Sequence, residues 1–126
     1  MSFEQAFQSF LDDNLTDVGF ITANLAPQGE TKGIMYQKIS TMRDREIDHD
    51  GIMNLVAVSF QFNFYADRKV EAAGMRDQLQ QLLAGYDGQM GDYRVQGAFI
   101  TDERDYFDTE ARVFRESVDY RIQYKE

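Results

Sequence analysis

Residues 56–66 alternate between large apolar side chains and small or polar ones, and this pattern constrains the fold more than any other stretch. Successive side chains of a β-strand point to opposite faces, so the larger residues share one face. They are Val56, Val58, Phe60, Phe62 and Phe64. The pattern predicts a long strand with one buried face and one polar face. A helix-like segment follows at once, which favours an α+β domain.

The composition fits one folded domain that spans residues 1–126. The chain is 43% hydrophobic and 13% aromatic, so it can bury a core without a disulfide or a metal ion. It has no cysteine, which excludes disulfide bonds and thiolate chemistry. No signal-like start is present, and the apolar runs are far shorter than the roughly 18 residues of a membrane span. We therefore expect a soluble protein that is made in the cytoplasm.

Hydrophobic periodicity and turn residues divide the first half of the chain. Ser2 and Gln5 fit a capping box at the start of a helix. The predicted elements are a helix over Ser2–Leu15, an extended segment over Gly19–Leu25, a turn at Pro27-Gln28-Gly29, a strand over Ile34–Met42, a charged connection over Arg43–Asp50 and a turn at Asp50-Gly51. Two strands around a charged connection predict an extended hairpin that projects from the body.

The second half follows the same alternation of strands and helix. Its predicted elements are the long strand over Leu55–Tyr65, a helix with Asp67 as N-cap that Gly85 and Gly88 end, a strand over Tyr93–Ile100, a charged loop over Thr101–Thr109 and a strand over Phe114–Tyr124. Consecutive strands can pair as antiparallel neighbours. We expect a mainly antiparallel sheet of four to five strands with two helices packed on one face.

The side chains that could carry catalysis or bind a metal ion do not form a recognisable site. His49 is the single histidine and lies in a charged turn. Glu46, Asp48 and Asp50 match the first positions of a calcium loop, but Ala57 stands where a bidentate Glu is required. The glycine-rich residues 85–91 lack GxGxxG and a Walker lysine. No catalytic, cofactor or metal site is predicted, although the sequence leaves open whether the acidic cluster Glu46–Asp50 binds a cation.

Several short patterns occur in a characteristic order along residues 27–126. They are Pro27-Gln28-Gly29, Tyr36–Ser40, Gln61–Ala66, Leu82–Gly85, Asp102–Tyr106 and Val118–Tyr124. Together they resemble the tail-completion, or tail-terminator, family of siphophage and prophage minor tail proteins. The resemblance implies a single tail-terminator-like domain without enzymatic activity and without a cofactor.

The resemblance further implies a role in virion assembly. Proteins of this family form a six-subunit ring that caps the tail tube, stops its polymerisation and offers a docking surface for the head connector. The implied partners are therefore other copies of the chain, the tail tube protein and the head connector protein. DNA would pass through the lumen without specific binding, and no membrane is involved. The implied location is the virion tail, and the host cytoplasm during assembly.

The net charge of −9 fits a lumen through which DNA passes. Tight binding to nucleic acid depends largely on cations that contact phosphates. An acidic surface repels the DNA backbone and lets it slide.

A ring of identical subunits needs two different surfaces that fit each other. We expect one of them at the hairpin tip, Arg43–Gly51, and the other at the charged loop, Asp102–Phe107. The candidate interface residues, toward a neighbouring subunit or the tube, are Arg43, Asp44, Arg45, Glu46, Asp102, Arg104, Asp105 and Tyr106. Mixed charges at such a surface set register more than affinity.

Three other functions fit parts of the sequence. The first is another head–tail joining or neck protein, or a tail-derived piece of a contractile secretion device. The second is a small ligand-binding α+β domain or a small enzyme, which a deep pocket with convergent polar groups would favour. The third is a protein-interaction module that adds a partner strand to a sheet edge.

Overall fold

A computed structural model of the chain describes residues 2–16, 18–23, 32–48, 51–108 and 113–125. For residues 44–48, 51–54 and 105–108 it describes the backbone but not the side chains. The predicted turn at Pro27-Gln28-Gly29, together with His49 and Asp50, lies outside the described residues.

The first helix, α1, spans Phe3–Asn14 and begins as the sequence predicts. The Ser2 hydroxyl accepts a hydrogen bond from the backbone N–H of Gln5 at 3.2 Å, and the Gln5 side chain accepts one from the backbone N–H of Ser2 at 2.9 Å. This capping box satisfies two donors that the first helical turn leaves unpaired. The buried residues Phe3, Ala6, Phe7 and Leu11 form one apolar stripe along the helix.

The described residues form one mixed sheet of six strands. The strands are β1 Phe20–Ala23, β2 Gly33–Asp48, β3 Gly51–Ala66, β4 Gly88–Met90, β5 Tyr93–Asp108 and β6 Val113–Lys125. Their order in the sheet is β1-β2-β3-β6-β5-β4. All neighbours are antiparallel except β1 and β2, which are parallel.

The α+β class and the mainly antiparallel sheet are confirmed, but the prediction of four to five strands is not. β1 comes from the segment that we expected to be extended, and it pairs with the start of β2. β4 is three residues long and pairs with the start of β5. Strands this short have no periodicity of their own, because pairing with a longer neighbour creates them.

The second helix, α2, spans Lys69–Leu83, and its N-cap differs from the prediction. Arg68, not Asp67, is the N-cap residue, and no side-chain hydrogen bond caps this end. Gly85 follows the helix with φ of 67°, a left-handed conformation that glycine adopts at little cost. Gly88 does not help to end the helix, because it begins β4.

The predicted hairpin is present, and its strands are longer than the apolar pattern indicated. β2 continues to Asp48 and β3 begins at Gly51, so much of the expected charged connection is strand. Pairing of β2 with β3 reaches Asp48 and Gly51, whereas pairing of β3 with β6 ends at Leu55. The hairpin therefore extends about 13 Å past β6, at about 3.3 Å per residue.

The loop predicted over Thr101–Thr109 is wrong for residues 101–108. β5 continues through Asp108, and its residues pair with β6 up to Val113. The charged residues misled the prediction because strands at the edge of a sheet accept charged side chains. Cross-strand pairing, which is invisible in a local pattern, supplies the stabilisation.

Both helices cover the same face of the sheet, as predicted, and aromatic rings fill the space between them. The Phe7 ring stacks on Phe60 with centroids 4.9 Å apart, and Phe3 stacks on Tyr124 at 4.0 Å. Phe62 is fully buried and lies edge-to-face against Tyr120 at 5.6 Å. Such pairs add about 0.5–1.5 kcal/mol each beyond the burial of their surface.

Hydrogen bonds also tie α2 to the segment that follows α1. The Gln78 side chain of α2 accepts a hydrogen bond from the Thr16 N–H at 2.7 Å and donates one to the Thr16 carbonyl at 3.1 Å.

The opposite face of the sheet carries Ser59, Gln61 and Asn63. In the described part of the chain, no helix or strand packs over this face. This surface is called the open face below.

We predict that Phe62→Ala lowers the free energy of unfolding by about 3–5 kcal/mol, because the ring is fully buried and its removal leaves a cavity. Phe99→Ala is the matched control, since Phe99 is 50% exposed, and it should cost less than about 1 kcal/mol. Urea unfolding followed by circular dichroism measures both values. Equal losses for the two variants would contradict the assignment of Phe62 to the core.

Candidate assembly surfaces

The predicted interface residues lie in two strands near opposite edges of the sheet. Arg43, Asp44, Arg45 and Glu46 lie in β2, where Arg43 is paired with Val56. Asp102, Arg104, Asp105 and Tyr106 lie in β5, where Arg104 is paired with Ser117. β3 and β6 separate the two sets, which also lie toward opposite ends of these strands. They therefore do not form one site.

Both of these strands have an outer edge that is largely uncovered. β1 pairs with β2 along Gly33–Tyr36 only. β4 pairs with β5 along Tyr93–Val95 only, and the Gly85 N–H donates a further hydrogen bond to the Ala98 carbonyl at 3.2 Å. Beyond these points, residues 37–48 and 99–108 have no strand on their outer side in the ranges that the structure describes. An uncovered strand edge presents N–H and C=O groups that can pair with another chain.

Arg104 is the centre of a charged cluster on the open face. Its guanidinium contacts Asp102 (Nη1 to Oδ2, 3.0 Å) and Asp119 (Nη2 to Oδ1, 3.2 Å). It also lies 3.4 Å from the Ser117 hydroxyl. The Arg104 Nε is buried and has no hydrogen-bond partner among the described residues. Thus the predicted residues Asp102 and Arg104 do act together, whereas Asp119 was not predicted because it is 15 residues from Arg104 in the chain.

A groove of about 280 Å³ crosses the open face beside this cluster. Its lining includes Gln61, Asn63, Tyr65, Arg104, Arg115 and Ser117, and it is called the arginine groove below. Asn63 and Ser117 are buried although they lie on the open face. The groove is slightly smaller than the roughly 300–1,000 Å³ of typical small-molecule sites, so its size suits a side chain better than a drug-sized ligand.

Among the described side chains, the open face carries more cations than anions. Strand register places these cations on it: Arg94, Arg104, Arg115, Arg121 and Lys125. Asp102 and Asp119 are the anions on this face among the described side chains, and Arg94 forms an ion pair with Asp87.

On the helix side, Arg43 belongs to a different charged group. Lys38 Nζ donates to Glu4 Oε1 at 2.9 Å, and this hydrogen bond is the main reason that the pKa of Glu4 lies below its usual 4.5. The positive charges of Lys38 and Arg43 lower that pKa further. These contacts tie the start of α1 to β2 on the helix-covered face.

A buried ion pair joins α2 to β6. Arg76 Nη1 lies 3.1 Å from Glu116 Oε2, and the Glu116 side chain is only 4% exposed. Desolvation lowers the pKa of Arg76, but the Asp77 hydrogen bond and the Glu116 charge outweigh it, so the pKa is raised. The sequence contained a signal for this pair, because Glu116 stands at an apolar-face position between Phe114 and Val118.

Two buried tyrosines have pKa values that are raised further above neutral pH. Burial raises the pKa of Tyr36 and of Tyr120 to about 12. The Tyr36 hydroxyl donates to the Gln8 side chain, whereas the Tyr120 hydroxyl has no partner among the described residues. Both phenols are protonated at neutral pH, so neither is poised to act as a base.

The described ranges contain neither a metal-binding cluster nor a membrane-spanning helix. No three His, Asp or Glu side chains there are grouped as a metal site would require. No described helix combines the length and the apolar character that crossing a bilayer demands.

The chain is similar to a known protein in fold rather than in sequence. No protein-family model and no curated protein sequence matches it. Among solved structures, it is similar to a chain of the "Virion of native gene transfer agent (GTA) particle", with a TM-score of 0.60 and 14% sequence identity. The similarity covers 98% of this chain and 91% of that chain. At this identity the comparison establishes a shared fold along nearly the whole length of both chains.

We predict that Lys38→Met raises the pKa of Glu4 toward 4.5, because the main cause of its lowering is removed. In the wild type, a lowered carboxyl pKa stabilises the fold above the unfolded-state pKa, and this stabilisation is lost as the pH falls through the folded-state value. An NMR titration of the Glu4 carboxyl measures the shift. Lys125→Met is the control, since Lys125 lies on the open face. An unchanged Glu4 pKa in Lys38→Met would contradict the assigned cause.

Proposed function

We propose that this chain is a non-enzymatic assembly protein of a phage-like virion that caps the tail tube as a ring. The observation that carries the proposal is the fold shared with a chain of a gene transfer agent virion along 98% of this chain. By itself, that similarity supports a role as a component of a virion. The ordered motifs of the tail-terminator family narrow it to the end of the tail.

The geometry of the sheet supports a ring built from one repeated contact. The outer edges of β2 and β5 lie on opposite sides of the same sheet, as a head-to-tail contact requires. Three successive antiparallel pairings make β5 antiparallel to β2. Copies in the same orientation can therefore place the β2 edge of one subunit beside the β5 edge of the next as an antiparallel pair. We propose that six copies close such a ring.

The remaining parts of the proposal follow from the position of such a ring. Its partners are the tail tube protein on one side and the head connector protein on the other. DNA passes through the lumen without specific binding, and the net charge of −9 per copy keeps the passage from holding it. The ring belongs to the virion tail and assembles in the host cytoplasm.

We predict that particles assembled without this chain have overlong tails, because nothing stops the polymerisation of the tube. Electron microscopy of a deletion strain measures the tail length, and expression of the wild-type chain from a plasmid is the control. Tails of normal length that fail to join heads would instead favour a neck or head–tail joining protein.

We predict that the double variant Arg43→Glu with Arg45→Glu lowers the oligomer mass while leaving the subunit folded. Both residues lie in the part of β2 that β1 does not cover. Light scattering over a range of protein concentrations measures the mass, and circular dichroism checks the fold. Arg68→Glu with Lys69→Glu makes the same change of charge at the start of α2 and serves as the control. An unchanged oligomer mass in the β2 variant would remove this strand from the interface.

A further inference from the structure

The arginine groove has the chemistry of a carboxylate site. Arg104 and Arg115 both line it, and no carboxylate lines it among the described side chains. Asp102 and Asp119 contact Arg104 at 3.0 and 3.2 Å, yet the buried Nε of the same guanidinium has no acceptor in the described part of the chain. A guanidinium has five N–H donors in a planar fork that matches a carboxylate.

The neutral side chains around the two arginines add hydrogen-bonding capacity. Asn63 and Ser117 form a buried polar base, with Ser117 only 1% exposed, and Gln61 lies beside them. The Ser117 hydroxyl accepts a contact from Arg104 Nη2 at 3.4 Å, so it helps to position the guanidinium in the groove. The groove therefore combines two guanidinium groups, of which Arg104 also contacts Asp102 and Asp119, with neutral polar side chains in a volume of about 280 Å³, which fits one or two side chains.

We propose that the arginine groove binds a carboxylate side chain from a second copy of this chain. The inference rests on the proposed ring and specifies how neighbouring subunits recognise each other. Each copy has a net charge of −9, whereas two arginines and no carboxylate of the described side chains line its groove, so each copy supplies both halves of a complementary contact. Arg104 also lies on β5, whose uncovered edge a neighbouring subunit would approach.

A nucleic acid is the less suitable occupant. A phosphate backbone extends well past a groove of this size and meets the acidic remainder of the chain. The contact between two copies is local, and at physiological salt the screening length of about 8 Å limits the repulsion between their net charges.

The first test compares self-association of charge variants by light scattering. Arg104→Gln with Arg115→Gln should weaken association about tenfold or more, because charge-assisted hydrogen bonds are removed. Arg121→Gln with Lys125→Gln removes the same charge from the same face outside the groove, and its effect should be small. Equal weakening by both pairs would overturn the inference, since it would indicate a diffuse electrostatic effect.

Removing Arg104 could also destabilise the fold, because Arg104 contacts Asp102 and Asp119. A second variant therefore tests the groove with both arginines in place. Gln61→Glu keeps both arginines and places a carboxylate of the same chain in the groove. It should compete with the neighbour's carboxylate and weaken association while the thermal unfolding temperature is kept. Unchanged association in this variant would count against the proposal.

Crosslinking identifies the occupant. A photoreactive benzoylphenylalanine replaces Gln37, which also lines the groove, in a mixture of ¹⁴N- and ¹⁵N-labelled chains. Crosslinks between the two labels to peptides that contain Asp or Glu are expected. Crosslinks within one chain only, or protection of the groove by a DNA oligonucleotide, would overturn the inference.

These outcomes separate the inference from the proposed function. A full-mass ring in Arg104→Gln with Arg115→Gln would refute the groove contact and leave the tail-capping role intact. A wild type that stays monomeric up to millimolar concentration would also refute it. Tail length in the deletion strain decides the tail-capping role independently.

Discussion

The contact between the aromatic face of β3 and the apolar stripe of α1 is the interaction on which the rest of the structure depends. Phe7 stacks on Phe60 and lies 6.0 Å from Phe62, edge-to-face, so one helical residue meets two positions of the central strand. Because side chains on a strand alternate, this contact determines which face of β3 is buried. It thereby assigns every residue paired with β3 to the helix-covered face or to the open face.

The pairing register determines which side chains of the other strands share a face with those of β3. β2 and β6 pair with β3 directly, and β5 pairs with β6. The result places Arg104, Ser117 and Asn63 in one row on the open face. A slip of one residue in the pairing of β5 or β6 would turn Arg104 or Arg115 toward the aromatic core, which explains why the charged edge strand can still have a defined position.

The separation of charge follows from the same layered arrangement. On the helix-covered face, Arg76 forms an ion pair with the buried carboxylate of Glu116, where α2 packs against β6. Breaking such a pair by removing one partner leaves an uncompensated buried charge, which is costly. The open face instead accumulates partly exposed arginines. The side of the sheet that the helices do not occupy thus carries more cations than anions among its described side chains, although the chain as a whole is acidic.

The sequence by itself determined the elements whose signals are local. The capping box at Ser2, the alternation over Val56–Phe64 and the α+β class with its mainly antiparallel sheet are all present in the structure. Each depends on residues within a few positions of one another, so periodicity and hydrogen-bonding chemistry were sufficient to predict it. The apolar-face position of Glu116 was also readable, although its partner was not.

Only the tertiary structure decided the strands and sites that depend on distant neighbours. β1 and β4 exist because longer strands pair with them, and the charged half of β5 is a strand because β6 holds it in place. The two predicted charged patches proved to lie on opposite edges, and the arginine groove was not predicted at all. Its residues come from two strand pairs, β2 with β3 and β5 with β6, that are far apart in the chain, and only the register of the sheet brings them together. A local pattern contains no information about that register, because the free energy that determines it comes from burying the aromatic face as a whole.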